Sequence, residues 1–329
     1  MLKYVIKRLL LSILILFGVS IILYTLVRLM PDDYVAAKFT NVFTQAGLDL
    51  EEALAQMRAN YGLDKGIIAG YFSWLGDVFK GDLGYSFQYQ RPVSEVIWQN
   101  MGTSFAIALI SLILYFSAAI PLGIRAAVKQ YSIFDYVTTF ITMLGISLPS
   151  FFFAALMIKL FAVDLGWFDS ALGLLSAGFT GNGFEKFLDM CWHLVLPILV
   201  VVILNIGSIM RYTRTNTLEV LNADYIRTAR AKGLSERTVI YKHAFRNTMI
   251  PLVTMMAGIL PGLFGGSMII EQVFGIPGIG QKAYLALKAG DIPFIMGYNM
   301  FLAILTVIGI LLSDLMYAVV DPRVKLFKK

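Results

Sequence analysis

The sequence predicts an all-α polytopic membrane protein with six transmembrane helices, a small extracytoplasmic cap after the first, and a short cytoplasmic helix between the fourth and fifth. Three observations predict it. Of 329 residues, 58% are apolar and 15% charged, against roughly 45–50% and 25% in soluble domains. Six long stretches are nearly free of charge. The basic residues cluster between those stretches, which is a topology pattern and sets aside the nucleic-acid binding that a net charge of +6 first suggests.

A helix needs about 20 apolar residues to cross a hydrocarbon core of about 30 Å. Residues 9–27 carry no charge and come directly after Lys3, Lys7 and Arg8. A cleaved signal peptide has an apolar core of only about 7–15 residues. This run is longer and ends in Arg28-Leu29-Met30-Pro31, so residues 1–30 read as a tail and a retained first span.

Residues 31–100 form the extracytoplasmic segment. Within it, 50–61 reads as an amphipathic helix with Leu50, Leu54, Met57 and Tyr61 on one face. Trp74 and Leu75 precede a turn cluster, Gly81-Asp82-Leu83-Gly84. The segment either meets an extracytoplasmic partner or covers the bundle.

Residues 101–320 supply five further spans, near 101–124, 136–163, 191–210, 248–270 and 294–320. Prolines recur inside them at Pro121, Pro149, Pro197, Pro251 and Pro261, each removing a backbone donor and kinking its helix. Gly258, Gly262 and Gly266 repeat every four residues, a small-residue stripe that suits close packing within the bundle or at a subunit interface. Lys159 and Asp314 are the main charges inside span limits. Such charges are functional candidates, but both stand near span ends, where they can snorkel.

With the N-terminus inside, the inner segments 1–8, 125–135, 211–247 and 321–329 hold 3, 2, 8 and 4 of the 27 basic residues. The outer segments 31–100, 164–190 and 271–293 hold 5, 1 and 2. The positive-inside rule places both termini, including the 321–329 tail, in the cytoplasm.

Segment 211–247 is too long and too charged for a simple connector. Asn222 or Asp224 can cap a helix in which Tyr225, Ile226, Ala229 and Gly233 recur at helical spacing. Arg227, Arg230 and Lys232 lie toward its C-terminal end, where they suit the dipole. Gly233 fits the left-handed position that ends a helix, and Ser235 can cap a second helix leading back to the membrane. A short helix of this kind either inserts into a groove on a soluble partner or lies on anionic lipid.

Catalytic chemistry finds no footing. The two histidines, His193 and His243, fall at opposite ends of the predicted topology. No H-E-x-x-H zinc pair or G-x-S-x-G nucleophile turn occurs. The run from Gly275 to Gly280, then Gln281-Lys282, imitates a phosphate loop, but its lysine is one place late and no Ser or Thr comes after it. Cys191 stands alone and forms no intrachain disulfide. No catalytic, cofactor-binding or metal site is expected. A secondary transporter commonly shows inverted repeats and buried ionisable residues; neither is prominent here.

The run Asp224-Tyr225-Ile226-Arg227-Thr228-Ala229-Arg230-Ala231-Lys232-Gly233-Leu234 resembles the EAA loop of binding-protein-dependent ABC importer permeases, in the form found in the dipeptide and oligopeptide branch. His243-Ala244-Phe245-Arg246-Asn247 and Ile250-Pro251 are similar to the stretch just beyond the EAA loop in that branch. So, in order along the chain, are Lys7-Arg8-Leu9-Leu10, Gly81-Asp82-Leu83-Gly84, Arg91-Pro92-Val93, Ser147-Leu148-Pro149-Ser150-Phe151, Leu165-Gly166-Trp167, Glu271-Gln272-Val273-Phe274, Pro277-Gly278-Ile279-Gly280 and Asp321-Pro322-Arg323 to motifs elsewhere in the branch. The chain looks like the B-type half of the permease pair. It departs from the general pattern in having Arg227-Thr228-Ala229 in place of Glu-Ala-Ala, and its 31–50 stretch is longer than usual.

The resemblance implies a non-catalytic permease subunit in the cytoplasmic (inner) membrane. Its implied partners are a second homologous permease, two cytoplasmic ABC ATPases and an extracytoplasmic substrate-binding protein. ATP and magnesium are implied on the ATPases alone. Residues 224–233 are the implied ATPase-coupling helix. Peptide is the implied substrate, with nickel complexes, glutathione and oligosaccharides as the branch's other cargoes. No residue of the substrate path is marked.

Overall fold

The structure, a computed structural model, describes residues 2–29, 49, 51–52, 55, 64–168 and 173–320, apart from the side chains of 2–5, 250, 254, 256–258, 260–261 and 313–320. Most of the predicted helix at 50–61, most of the 31–50 stretch, the Asp314 side chain and the 321–329 tail therefore lie outside the described residues.

The described chain is almost wholly helical. Helix α1 (Leu2–Arg28) is succeeded by α2 (Ile67–Phe79), a two-residue hairpin of β1 (Tyr85–Ser86) with β2 (Arg91–Pro92), and α3 (Val93–Val128). Then come α4 (Ile133–Ser147), α5 (Ser150–Met157, extended as a π-helix over Ile158–Asp164) and α6 (Gly183–Leu221). The short α7 (Asp224–Ala231) and α8 (Glu236–Thr238, extended as a π-helix over Val239–Ala244) lead into α9 (Phe245–Gly265). The chain closes with α10 (Met268–Val273), α11 (Ile279–Ala289) and α12 (Ile292–Val320).

Among the described residues, four helices (α1, α3, α6 and α12) are long and apolar enough to cross a membrane, or five if the α4–α5 pair is one span. The fifth predicted span falls on α9. Large aliphatic side chains stand exposed all along α1 (Leu10 62%, Ile13 61%, Leu14 65%, Ile22 62%). Water would oppose such a surface, whereas hydrocarbon accepts it.

The predicted span 136–163 is not one rod. It bends by 105° between α4 and the α5 segment. Leu148 is extended at φ −84°, ψ 133°, because the ring of Pro149 crowds the residue before it out of helical geometry. Pro149 also has no N–H to continue the ladder.

The core lies between α3, α6 and α9, with Leu112, Tyr115, Phe116, Ile209, Met210 and Leu252 buried together. Two backbone approaches set the spacing. A Cβ on Gly123 would sit 2.7 Å from the Met210 carbonyl oxygen, and one on Gly207 would sit 2.6 Å from that of Thr142. Glycine thus lets α6 press against α3 and α4 at once.

Within the 31–100 segment, α2 packs onto α1 and α12. Tyr71 meets Tyr24 edge-on and Trp74 packs on it at a tilt, with ring centroids 5.6 and 5.7 Å away, and Met296 and Met300 close the cluster. This part of the 31–100 segment covers the bundle. Gly81 and Gly84 take positive φ, as the turn cluster predicts.

Candidate functional site

Helix α6 has 39 residues, about 58 Å of helix against a hydrocarbon core of about 30 Å. Its C-terminal part therefore projects beyond the apolar stretch and carries α7 with it.

The junction is tight. Asn222 ends α6, and its Nδ2 donates to the Leu218 carbonyl at 3.0 Å. With that side chain turned back to α6, the N-cap of α7 is Ala223, which offers no side-chain acceptor. The expectation that Asn222 or Asp224 caps the helix is thus corrected. Asp224 stands inside the first turn instead, where its charge still complements the helix dipole.

The ten predicted coupling positions divide into two faces. Ile226 is fully buried and Ala229 nearly so, packed with Val239 and Ala244 of the returning π-helical segment and with Val220 and Leu221. The small, apolar side of α7 is therefore its attachment to its own chain. Asp224, Tyr225, Arg227, Thr228, Arg230, Ala231, Lys232 and Gly233 are exposed. Arg227 pairs with Asp224 across one turn at 3.5 Å, and Thr228 Oγ1 donates to the Asp224 carbonyl at 3.0 Å.

The C-terminus has the Schellman pattern. Leu234 N–H donates to the Ala229 carbonyl at 3.4 Å and Gly233 N–H to that of Arg230 at 3.0 Å. Gly233 has φ +76°, and a Cβ there would meet nothing within 4 Å. Glycine is needed for backbone conformation and not for space. Ser235 then caps α8 by accepting from Thr238 N–H at 3.3 Å, as the sequence predicts. Arg230 grips Glu236 with Nε and Nη2 at 2.8 and 3.4 Å, bracing the turn from outside.

Sequence reasoning missed the acids that brace the surrounding bundle. Asp135 is buried and receives both Nε and Nη2 of Arg214. The signal was present: Ser132-Ile133-Phe134-Asp135 has capping-box spacing, and Ser132 does cap α4. Buried Glu271 accepts from Ser104 Oγ (2.8 Å), Ser267 N–H (3.0 Å) and Gln281 N–H (2.9 Å). A Cβ on Gly266, Gly278 or Gly280 would collide with its carboxylate, so the Gly and Glu271 motifs of this region form one device. Gly266 lies past the end of α9 with φ +70°, which takes it out of the helical stripe predicted with Gly258 and Gly262.

Of the other candidates, Lys159 pairs with Asp164 at 2.8 Å on an exposed surface. His193 is buried with Nδ1 against the Asp189 carbonyl at 2.9 Å. His243 lies in the π-helical segment after α8. No group of three or more His, Cys, Asp or Glu side chains that could hold a metal occurs among the described residues.

Residues 119–326 match the family described as "Binding-protein-dependent transport system inner membrane component", and residues 1–108 match the N-terminal region of the same kind of component. The oligopeptide transport system permease protein AppB of Bacillus subtilis is 36% identical over 99% of this chain and 100% of its own length. The dipeptide transport system permease protein DppB of Alkalihalophilus pseudofirmus is 33% identical over 99% of this chain and 100% of its own. A solved chain of the MetNI methionine ABC transporter is similar with a TM-score of 0.49 and 18% identity, over 69% of this chain and 96% of that one.

Proposed function

This chain belongs to the family of binding-protein-dependent transport system inner membrane components, and on that premise we propose that it forms half of the translocation path of an ATP-driven importer of di- or oligopeptides. The substrate class rests on the relatives named for oligopeptide and dipeptide transport, which match this chain from end to end.

In this reading six helices cross the membrane, with α4–α5 as one broken span and α9 as the fifth, and both termini are cytoplasmic. A second permease completes the path, two cytoplasmic ATPases drive it, and an extracytoplasmic binding protein delivers the peptide. ATP and magnesium belong to the ATPases, and this chain catalyses nothing itself.

Helix α7 is the coupling element. The observation that carries the assignment is its division into two faces: Ile226 and Ala229 lock it to its own chain, while Tyr225, Arg227, Thr228 and Lys232 are presented outward. An anchored helix passes movement on, because its position is fixed relative to α6 and α9. Closure of the ATPases on ATP favours one arrangement of the bundle over another through differential contacts at α7.

Reconstitution of the whole complex in proteoliposomes tests this. Uptake of labelled peptide that requires both ATP and the binding protein is the expected result. Uptake driven by an ion gradient alone would overturn it in favour of a secondary carrier.

A further inference from the structure

One face of α6 is polar from bilayer depth to the cytoplasm. Asn205, Ser208, Tyr212, Thr215 and Glu219 succeed one another at spacings of three and four residues, and all five are exposed. That spacing keeps them on one side of the helix. Asn205 and Ser208 stand within a helix apolar enough to cross a membrane. An exposed polar side chain at that depth faces protein or water and not lipid.

A cavity of about 240 Å³ opens beside Asn205, between α3, α6 and α9, with Ser104, Tyr115, Gly262, Ser267 and Glu271 in its lining. A single water needs only about 10–15 Å³ on this measure. Gly262 is exposed, with nothing within 4 Å of a Cβ placed on it, so the wall from α9 is bare backbone. Asn205 Nδ2 donates to the Val201 carbonyl at 2.7 Å, and its Oδ1 has no partner among the described residues. Glu271 is held by neutral donors, with no Lys or Arg paired to it among the described residues.

We propose that this face and the cavity beside it, from Gly262 through Asn205 to Ser208, form a wetted wall of the translocation path, with Glu271 buried directly behind the lining. It takes a peptide chain: Asn205 offers an acceptor to peptide N–H groups, and the Glu271 carboxyl behind the lining, with no basic side chain paired to it among the described residues, favours a cationic group such as a free amino terminus in the cavity. The assignment rests on the importer reading above.

Thiol chemistry tests it. Cys191, which is exposed, is replaced by Ser, and single cysteines are placed at Asn205, Ser208 and Gly262, with Ile113 and Ile141, exposed apolar side chains on α3 and α4 that suit a lipid environment, as controls (56% and 60% exposed). The full complex is treated with membrane-impermeant methanethiosulfonates, whose sulfenyl sulfur is attacked by the cysteine thiolate to give a mixed disulfide and methanesulfinate, so reaction needs water at the thiol for it to ionise. The three wall positions should react at least about tenfold faster than the controls, and peptide under turnover with ATP and binding protein should slow the Asn205→Cys reaction. At Gly262→Cys a cationic reagent should outpace an anionic one, each normalised to a free thiol in solution. Wall and control rates that coincide in a complex still importing peptide would overturn the wall and leave the importer standing. Equal cationic and anionic rates would overturn the role given to Glu271. Absence of ATP-dependent uptake in the Cys191→Ser parent, with or without thiol reactivity, would overturn the importer reading and this assignment with it.

Discussion

Arg214 on α6 reaches across 79 positions of sequence to close a two-pronged ion pair on Asp135 of α4, with Nε and Nη2 at 2.6 and 2.7 Å from the two carboxylate oxygens. The Asp135 side chain is 4% exposed. Removing one partner leaves the other charge in a poorly solvated place. Asp135→Leu or Arg214→Leu alone should cost about 3 kcal/mol, while the double Leu variant should recover most of it. Thermal unfolding of the purified complex in detergent reads the difference; additive losses would show that the two side chains do not act as a pair.

Gly233 is needed for its positive φ alone. An L-residue in that region costs about 1–2 kcal/mol, more when β-branched. Gly233→Val should therefore leave membrane insertion intact and abolish peptide uptake, while Gly233→Asn should retain most of it. Insertion is monitored by membrane fractionation and uptake in proteoliposomes; normal uptake by the Val variant would remove the helix terminus from the coupling account.

Gly278 and Glu271 should be sensitive together. A methyl at Gly278 overlaps the Glu271 carboxylate, and overpacking of this kind costs about 1–3 kcal/mol. Glu271→Ala should cost a similar amount for a different reason, since Ser104, Ser267 and Gln281 lose their common acceptor. Detergent melting curves of both variants check this, and an unchanged midpoint for Gly278→Ala would contradict the crowding.

Asp291 introduces a pH dependence. Its carboxylate accepts from Ser86 Oγ (2.5 Å), Gln88 N–H (2.9 Å) and Phe294 N–H (3.1 Å) at the start of α12. Burial nevertheless raises its pKa above the ordinary 3.8, with those hydrogen bonds pulling the other way. A carboxyl raised in the folded state contributes stability that is complete below the unfolded value and is lost as pH rises through the folded one. The melting midpoint of the parent relative to Asp291→Asn should fall over that rise. A constant difference across the titration would show that burial does not govern this group.

Much of this architecture was legible from the chain alone. The charge-free runs mark α1, α3, α6 and α12 because lipid exposure requires unbroken apolar length. Gly233 and Ser235 were readable because their roles are local. The features that escaped are non-local or depend on competition between neighbours. Asn222 looks like a cap until the end of α6 claims it. Asp135 and Arg214 are 79 residues apart, and no local pattern joins them. Ile226 and Ala229 are equally apolar whether they face a partner or their own chain, and only packing shows that they face Val239 and Ala244.

Helix α7 is supported at both ends: a short corner at Asn222 and Ala223 ties it to α6, and the Arg230–Glu236 brace ties it toward α9. At about 12 Å long, it behaves as a beam on two piers and not as a pendulum on one. A shove on such a beam is shared by the two long rods that flank the cavity, so tilting one without the other requires the corner or the brace to give way first.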